Sequence, residues 1–224
     1  MTDKKYTAVV LVVDRSGSMA GIAKSVQDTL EEFVNKQLSE PGRLTIDTVF
    51  FDDKIENRVE LVDPAKDKLD LTLEPRGMTA LYDAVGMKID SFGKKLSELP
   101  EKKRPGKVIF VIATDGMENA SVEITQEALA TRISEHRETH GWDFTFIGAN
   151  HDAVMTAQQL NIPQGSSITF AATAAGTESV LRSMSSYVSA SRVGAAPAYS
   201  AEDREAALSG DAANSSKIKK GKKS

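Results

Sequence analysis

Residues 9–18 read Val9-Val10-Leu11-Val12-Val13-Asp14-Arg15-Ser16-Gly17-Ser18, and this stretch decides the fold. The apolar run from Ala8 to Val13 is short, unbroken and rich in β-branched residues, as expected of a strand buried on both faces of a sheet. In open α/β sheets the carboxyl edge of such a strand is where ligands sit. Asp14, Ser16 and Ser18 follow the run at that edge. Three hard oxygen donors in so short a span suit a Mg²⁺-type ion rather than zinc.

Working outward, strand and helix patterns alternate. Ile22, Val26, Leu30, Phe33 and Leu38 lie near one stripe and predict a helix over Met19 to Leu38. Leu44 to Phe51 and Ile55 to Val62 read as strands joined by a turn at Asp52-Asp53-Lys54, in which the acids are turn residues. Asp63 to Pro75 is irregular or edge-like. A helix is expected from about Thr79 to Leu99, ended by Pro100. Lys107 to Thr114 is a second buried strand, and it too runs into an acid, Asp115-Gly116. A helix over Ile124 to Thr139, a strand over Asp143 to Ile147, a short helix over His151 to Leu160, a strand over Ser167 to Phe170 and a helix over Thr177 to Ser191 complete the pattern. The implied fold class is α/β: a doubly wound, Rossmann-like, mostly parallel six-stranded sheet with one antiparallel edge strand and helices on both faces.

The 224 residues suffice for one well-buried domain and not for two large ones. The expected domain spans 1–192. From Val193 the composition turns to Ala, Ser, Gly, Asp and Lys, predicting a tail over 193–224 that is disordered or weakly helical. Cysteine is absent, which excludes disulfides and thiolate zinc sites. The polar start Met-Thr-Asp-Lys-Lys-Tyr predicts no secretory signal, and no apolar stretch approaches the roughly 18–20 residues of a membrane span. A soluble, cytoplasmic protein that binds no membrane is the expectation. Net charge is −4, yet residues Lys217 to Ser224 hold five lysines, leaving −9 for the rest. So acidic a body argues against specific nucleic-acid binding.

Three loops gather the chemistry. One holds Asp14, Ser16 and Ser18; one is Arg76-Gly77-Met78-Thr79; one carries Asp115. If the first strand and the strand ending at Thr114 are neighbours at the switch in strand order, all three loops converge. Taken singly, each has a plainer reading: Ser18 or Thr79 as a helix N-cap, Asp115-Gly116 as a turn.

Together, in this order, the segments Asp14-Arg15-Ser16-Gly17-Ser18-Met19, Gly77-Met78-Thr79-Ala80-Leu81 and Thr114-Asp115-Gly116-Met117-Glu118-Asn119 resemble the von Willebrand factor type A family and its metal-ion-dependent adhesion site. The wording is most similar to small stand-alone bacterial and bacteriophage members. The resemblance implies Asp14, Ser16, Ser18, Thr79 and Asp115 as metal ligands, Mg²⁺ as cofactor (with Mn²⁺ or Ca²⁺ as alternatives), and a partner protein that offers an Asp or Glu to the ion. Hydroxyls are neutral donors, so two carboxylates leave such an ion poorly neutralised and open to an external carboxylate. Met19, Met78, Gly116, Met117, Glu118 and Asn150 would form the rim.

The expected function is therefore a non-catalytic, metal-dependent protein-binding module. An alternative of the same kind is an assembly component of a phage particle or bacterial complex. The competing class is a Mg²⁺-dependent phosphohydrolase of the haloacid dehalogenase type, which needs an acidic residue two beyond the first aspartate; Ser16 stands there. Asn150 and Asp152 read as helix caps, Asp83 as a helix-dipole acid, and His136 with His140 as a solvated helix end rather than a two-histidine metal site.

Overall fold

The computed structural model describes residues 2–149 and 153–209. Six strands, β1 (Asp3–Asp14), β2 (Arg43–Phe51), β3 (Ile55–Val62), β4 (Pro105–Thr114), β5 (Asp143–Ala149) and β6 (Ser167–Phe170), form one sheet in the order β3-β2-β1-β4-β5-β6. All pairings are parallel except β2 with β3, which is antiparallel and places β3 at one edge. The strand order reverses between β1 and β4, the kind of switch point at whose carboxyl edge ligands sit in open α/β sheets.

Alternation along β1 explains why its sequence is apolar throughout. Val9, Leu11 and Val13 face α1 (Ala23–Leu38) and α5 (Ala174–Arg192), meeting Val26, Leu30, Phe33, Val180 and Met184. Ala8, Val10 and Val12 face α2 (Leu81–Glu98), α3 (Gln126–His140) and α4 (Ala153–Gln159), meeting Val85, Ile89, Phe92, Leu129 and Ile133. Both faces are covered, as the doubly wound pattern requires. Among the described residues no helix is long and apolar enough to cross a membrane.

Three departures from the sequence reading bear on the packing. The chain after β1 does not enter α1 directly but makes a 3-10 turn over Gly17–Gly21, bracketed by glycines that disfavour a regular helix start. The helix α5 begins three residues earlier than expected because Thr173 caps it, accepting from the Gly176 N–H. Packing also continues past residue 192. A further helix, α6 (Ala201–Ser209), docks on α5 and β6; Tyr199 and Ala207 are buried, and the Ala171 N–H donates to the Ala207 carbonyl at 3.0 Å. The lysine-rich end lies outside the described residues.

Candidate metal centre

Strand register brings the loops together. Val13 lies beside Ala113, so Asp14 and Thr114 leave the sheet as neighbours, and the Thr114 hydroxyl donates to Asp14 Oδ2 at 2.6 Å. The Ser16 N–H donates to Asp14 Oδ1 at 2.6 Å, folding the loop back over the strand end. Ser16 Oγ and Ser18 Oγ are 3.0 Å apart, and Ser18 Oγ donates to Asp115 Oδ1 at 2.6 Å. Gly116 closes the group: a Cβ placed there would lie 3.1 Å from Thr79 Oγ1, 3.6 Å from Ser18 Oγ and 3.8 Å from Asp14 Oδ2. A glycine at this position leaves the space between those oxygens open. All five predicted oxygen donors therefore meet at one place.

They are not capping helices. The residue before the 3-10 turn, Ser16, makes no side-chain cap bond. The helix α2 is preceded by Ala80 rather than Thr79, again without one. The Ser16 and Ser18 hydroxyls are turned to each other, and Ser18 to the Asp115 carboxylate, instead.

Main-chain bonds weave the loops into a single support. Gly17 N–H donates to the Gly77 carbonyl, Arg76 N–H to the Arg15 carbonyl, Arg15 N–H to the Phe51 carbonyl and Ala80 N–H to the Asp52 carbonyl, at 3.2, 2.8, 2.7 and 3.0 Å. Gly77 must be glycine: its φ is +67° and a Cβ would strike Asp53 Oδ1. Thr79 is held at both ends of its peptide, its N–H donating to Asn119 Oδ1 at 2.9 Å and its carbonyl accepting from Asn119 N–H at 3.0 Å.

The donor set fits a hard divalent cation. Two carboxylates and three hydroxyls are oxygen-only, and Mg²⁺–O bonds of about 2.0–2.1 Å set neighbouring oxygens of an octahedron roughly 2.8–3.0 Å apart, the spacing of Ser16 and Ser18. Electrostatics agree. Burial pushes Asp14 above the ordinary carboxylate range, hydrogen bonds from Thr114 and Ser16 oppose the shift, and the neighbouring Asp115 charge adds to it. A bound cation relieves both causes of that rise.

Several sequence expectations are corrected. Met19 is not on the rim: it is 2% exposed and packs in the core beneath the loop. Glu118 is half-buried and its carboxylate accepts from the Tyr82, Ala120 and Ser121 N–H groups, at 3.0, 2.8 and 2.7 Å, so it shapes the third loop rather than facing outward. Asp83 does more than favour a dipole. Buried in α2, it accepts from Val122, Glu123 and Ile124 N–H and clamps the same loop. Asp52 is not a mere turn residue. Fully buried, it accepts from Arg15 Nε at 3.0 Å, Arg76 Nε at 2.8 Å and Lys54 N–H at 2.6 Å. Gly116 lies beside the oxygens, and Met78 and Met117, next in sequence to Thr79 and Gly116, are exposed. Asn150 and Asp152 lie outside the described residues. His136 and His140 sit against Trp142 at the opposite edge of the sheet, with ring centroids 4.5 and 6.2 Å from it. Among the described residues no three His, Cys, Asp or Glu side chains group as a metal site; the cage at β1 and β4 differs in drawing three of its donors from hydroxyls.

Sequence reasoning missed Arg15, Thr114 and Asn119. Arg15, 1% exposed, points away from the cage to Asp52 and, through Nη1 at 2.5 Å, to Glu56. Nothing local announces a partner 37 residues away.

Comparison with known proteins now adds the fold's name. No protein-family profile matches the chain, and no curated protein matches it in sequence. Solved structures do match, among them a von Willebrand factor type A protein from Catenulispora acidiphila. Proximal thread matrix protein 1 from the mussel byssus, solved with a zinc-occupied metal-ion-dependent adhesion site, superposes with a TM-score of 0.59 at 16% identity over 82% of this chain. The von Willebrand factor domain of the type V pili tip protein Mfa5 from Porphyromonas gingivalis gives 0.57 at 14% identity, covering 80% of this chain and 94% of that one. The pilus adhesin SpaC from Lactobacillus rhamnosus GG gives 0.58 at 14% identity, covering 84% of this chain and 31% of that one. The chain spans less than half the length of the mussel protein, 46% of it. At these identities the likeness establishes the fold.

Proposed function

We propose that this chain is a non-catalytic, divalent-metal-dependent protein-binding module. Mg²⁺ is the natural occupant, held by Asp14, Ser16, Ser18, Thr79 and Asp115, and a partner protein supplies an Asp or Glu carboxylate to complete the shell. The observation that carries this reading is the convergence of five oxygen-bearing side chains from three loops at the β1–β4 switch, with hydroxyls 3.0 Å apart and a carboxylate 2.6 Å away. A bound Mg²⁺ supplies a Lewis-acidic vertex whose charge two carboxylates do not fully quench.

The chemistry supports binding over catalysis. The position two beyond Asp14 is a hydroxyl, which cannot donate a proton at neutral pH as a carboxylic acid can. Asp14 itself is fully buried and occupied by two hydrogen bonds, which leaves it no approach to an incoming substrate as a nucleophile. The three neighbours described above, a thread matrix protein, a pilus tip protein and a pilus adhesin, are compatible with an adhesive role.

Titration with Mn²⁺, followed by calorimetry, tests the site directly. Ser16→Ala and Asp115→Ala should each weaken binding at least about tenfold, the loss usual even for residues that merely support a ligand. Circular dichroism and the melting temperature should stay close to wild type, because these side chains lie at the sheet's rim. Full-strength Mn²⁺ binding in both variants would overturn the reading, and so would unfolding of both, which would make the loops structural.

A further inference from the structure

We infer that the partner segment carries a single carboxylate flanked by apolar side chains, and that Met78, Met117 and Val122 are the surface on which those flanks rest. This rests on the metal reading above and says what kind of acidic segment the site accepts. Eight large hydrophobic residues remain exposed among those described, and three of them, Met78 at 56%, Met117 at 68% and Val122 at 86%, belong to the two loops that bring Thr79 and Asp115 to the cage. Met78 immediately precedes Thr79. Met117 follows Gly116, whose backbone backs onto Thr79, Ser18 and Asp14.

Their exposure is built rather than incidental. The loop carrying Met117 and Val122 is fixed by the Glu118 and Asp83 carboxylates, and it is tied to Thr79 through Asn119. A loose loop could fold its apolar residues inward; this one cannot. Methionine is unbranched and polarizable, so it moulds to varied aliphatic or aromatic neighbours.

The charges around the cage narrow the choice further. Glu118, Asp83 and Asp52 are turned inward onto backbone or arginine donors, and Arg76 is engaged by Asp52. The exposed charges next to these loops are Asp53, beside Gly77, Glu74, near Arg76, and Glu123, beside Val122, against Lys54 and the Asp52-paired Arg76, so the balance there stays acidic. A lone carboxylate can go to the cation, whereas an acidic run would bring further charges against Asp53 and Glu123. Attraction for apolar flanks and repulsion of acidic ones act together as a filter.

The test uses the full chain labelled with ¹³C-methyl methionine. Mn²⁺ affinity is measured first; then three capped peptides, Gly-Leu-Asp-Leu-Gly, Gly-Ser-Asp-Ser-Gly and Gly-Asp-Asp-Asp-Gly, are titrated in Mg²⁺. The leucine-flanked peptide should bind about tenfold tighter than the serine-flanked one and shift the Met78 and Met117 methyls, with the acidic run weakest. The exposed double variant Met78→Gln/Met117→Gln should keep its Mn²⁺ affinity within about twofold and lose the preference. Three peptides binding within twofold of each other, none binding, the acidic run binding best, or a preference that survives the double variant would each overturn this inference while leaving the metal site standing. Absence of Mn²⁺ binding brings down both.

Discussion

Two aspartates five residues apart on one hairpin arm, Asp47 within β2 and Asp52 at its end, are both buried to 1% exposure or less, yet the protein treats them oppositely. Asp47 has one cation, the Lys88 ammonium from α2, which also donates to Asn57 Oδ1 at 3.0 Å. Burial pushes Asp47 above the ordinary carboxylate range, and Lys88 only partly offsets it. Asp52 feels burial too. Hydrogen bonds from Arg76 and the Lys54 N–H, with the Arg15 charge, outweigh it and hold the group below its ordinary range. Burial alone therefore does not set a carboxylate's state; the number of donors converging on it does. The second difference is reach. Lys88 links one helix to the two strands of the hairpin, whereas Arg15 and Arg76 lie within the loops that carry Ser16 and Thr79. One hub ties core elements together, the other the loops of the proposed metal site.

The largest expected effect comes from removing the single partner. Lys88→Ala leaves the Asp47 charge buried without a cation and should cost about 3–5 kcal/mol in urea unfolding at neutral pH. Mn²⁺ affinity of the folded protein should not change. The sign with pH is fixed by the raised pKa: the stabilising contribution is complete below the unfolded value near 3.8 and is lost as pH rises through the folded value. Acidification should therefore narrow the gap between variant and wild type. A deficit that is small or widens in acid would mean that Asp47 is not charged in the native state.

Asp52→Ala should cost less, about 2–3 kcal/mol, because Arg76 is half exposed and Glu56 still pairs with Arg15. Its distinguishing effect is on function. Mn²⁺ affinity should fall about tenfold although none of the five oxygen donors is altered, since the Arg15 and Arg76 loops lose their common anchor. Asp52→Asn probes the pH limb. With a lowered pKa, Asp52 contributes stability above its unfolded value near 3.8 that is lost as pH falls through the folded value, so the variant's acid limb should be flatter. Unchanged Mn²⁺ binding in Asp52→Ala would reduce this hub to the same rank as Asp47.

The contrast also marks what the sequence discloses. Strands β1 and β4 are legible because both faces are buried and their apolar runs are unbroken, and the β2–β3 hairpin because Asp52-Asp53-Lys54 punctuates two alternating runs. The three loops are legible because each ends a readable strand or precedes a readable helix, but their meeting depends on β1 and β4 being neighbours, and the set of five donors comes from the family resemblance. Arg15 and Asp52 are not legible, since their roles depend on the β1–β2 register, which sets Asp14 beside Phe51 and appears in no local pattern. Met19 directly follows Ser18 in sequence, yet it is the buried residue of the 3-10 turn, a placement no local pattern discloses. The segment before α6 has few large apolar residues, and its buried one is Tyr199, stacked on Tyr187 at 5.0 Å.

Tyr199 supplies the smallest of these effects and the control on charge. Its hydroxyl lies 2.7 Å from Thr145 Oγ1, both buried, a neutral bond where Asp47 and Asp52 have ionic ones. Tyr199→Phe keeps the ring stack and removes only that bond, so it should cost about 1 kcal/mol at neutral pH and leave Mn²⁺ affinity unchanged. Burial pushes the phenol well above its ordinary 10.0, partly opposed by the Thr145 bond. The wild type therefore loses this contribution only as pH climbs past about 10, through the unfolded value and towards the folded one, where the variant should decline less steeply. If Tyr199→Phe instead destabilised as much as Asp52→Ala at pH 7, a buried neutral pair would match a charged hub. The number of converging ionic donors would then no longer explain why the residue following β2, rather than Asp47 within it, holds the loops of the proposed metal site.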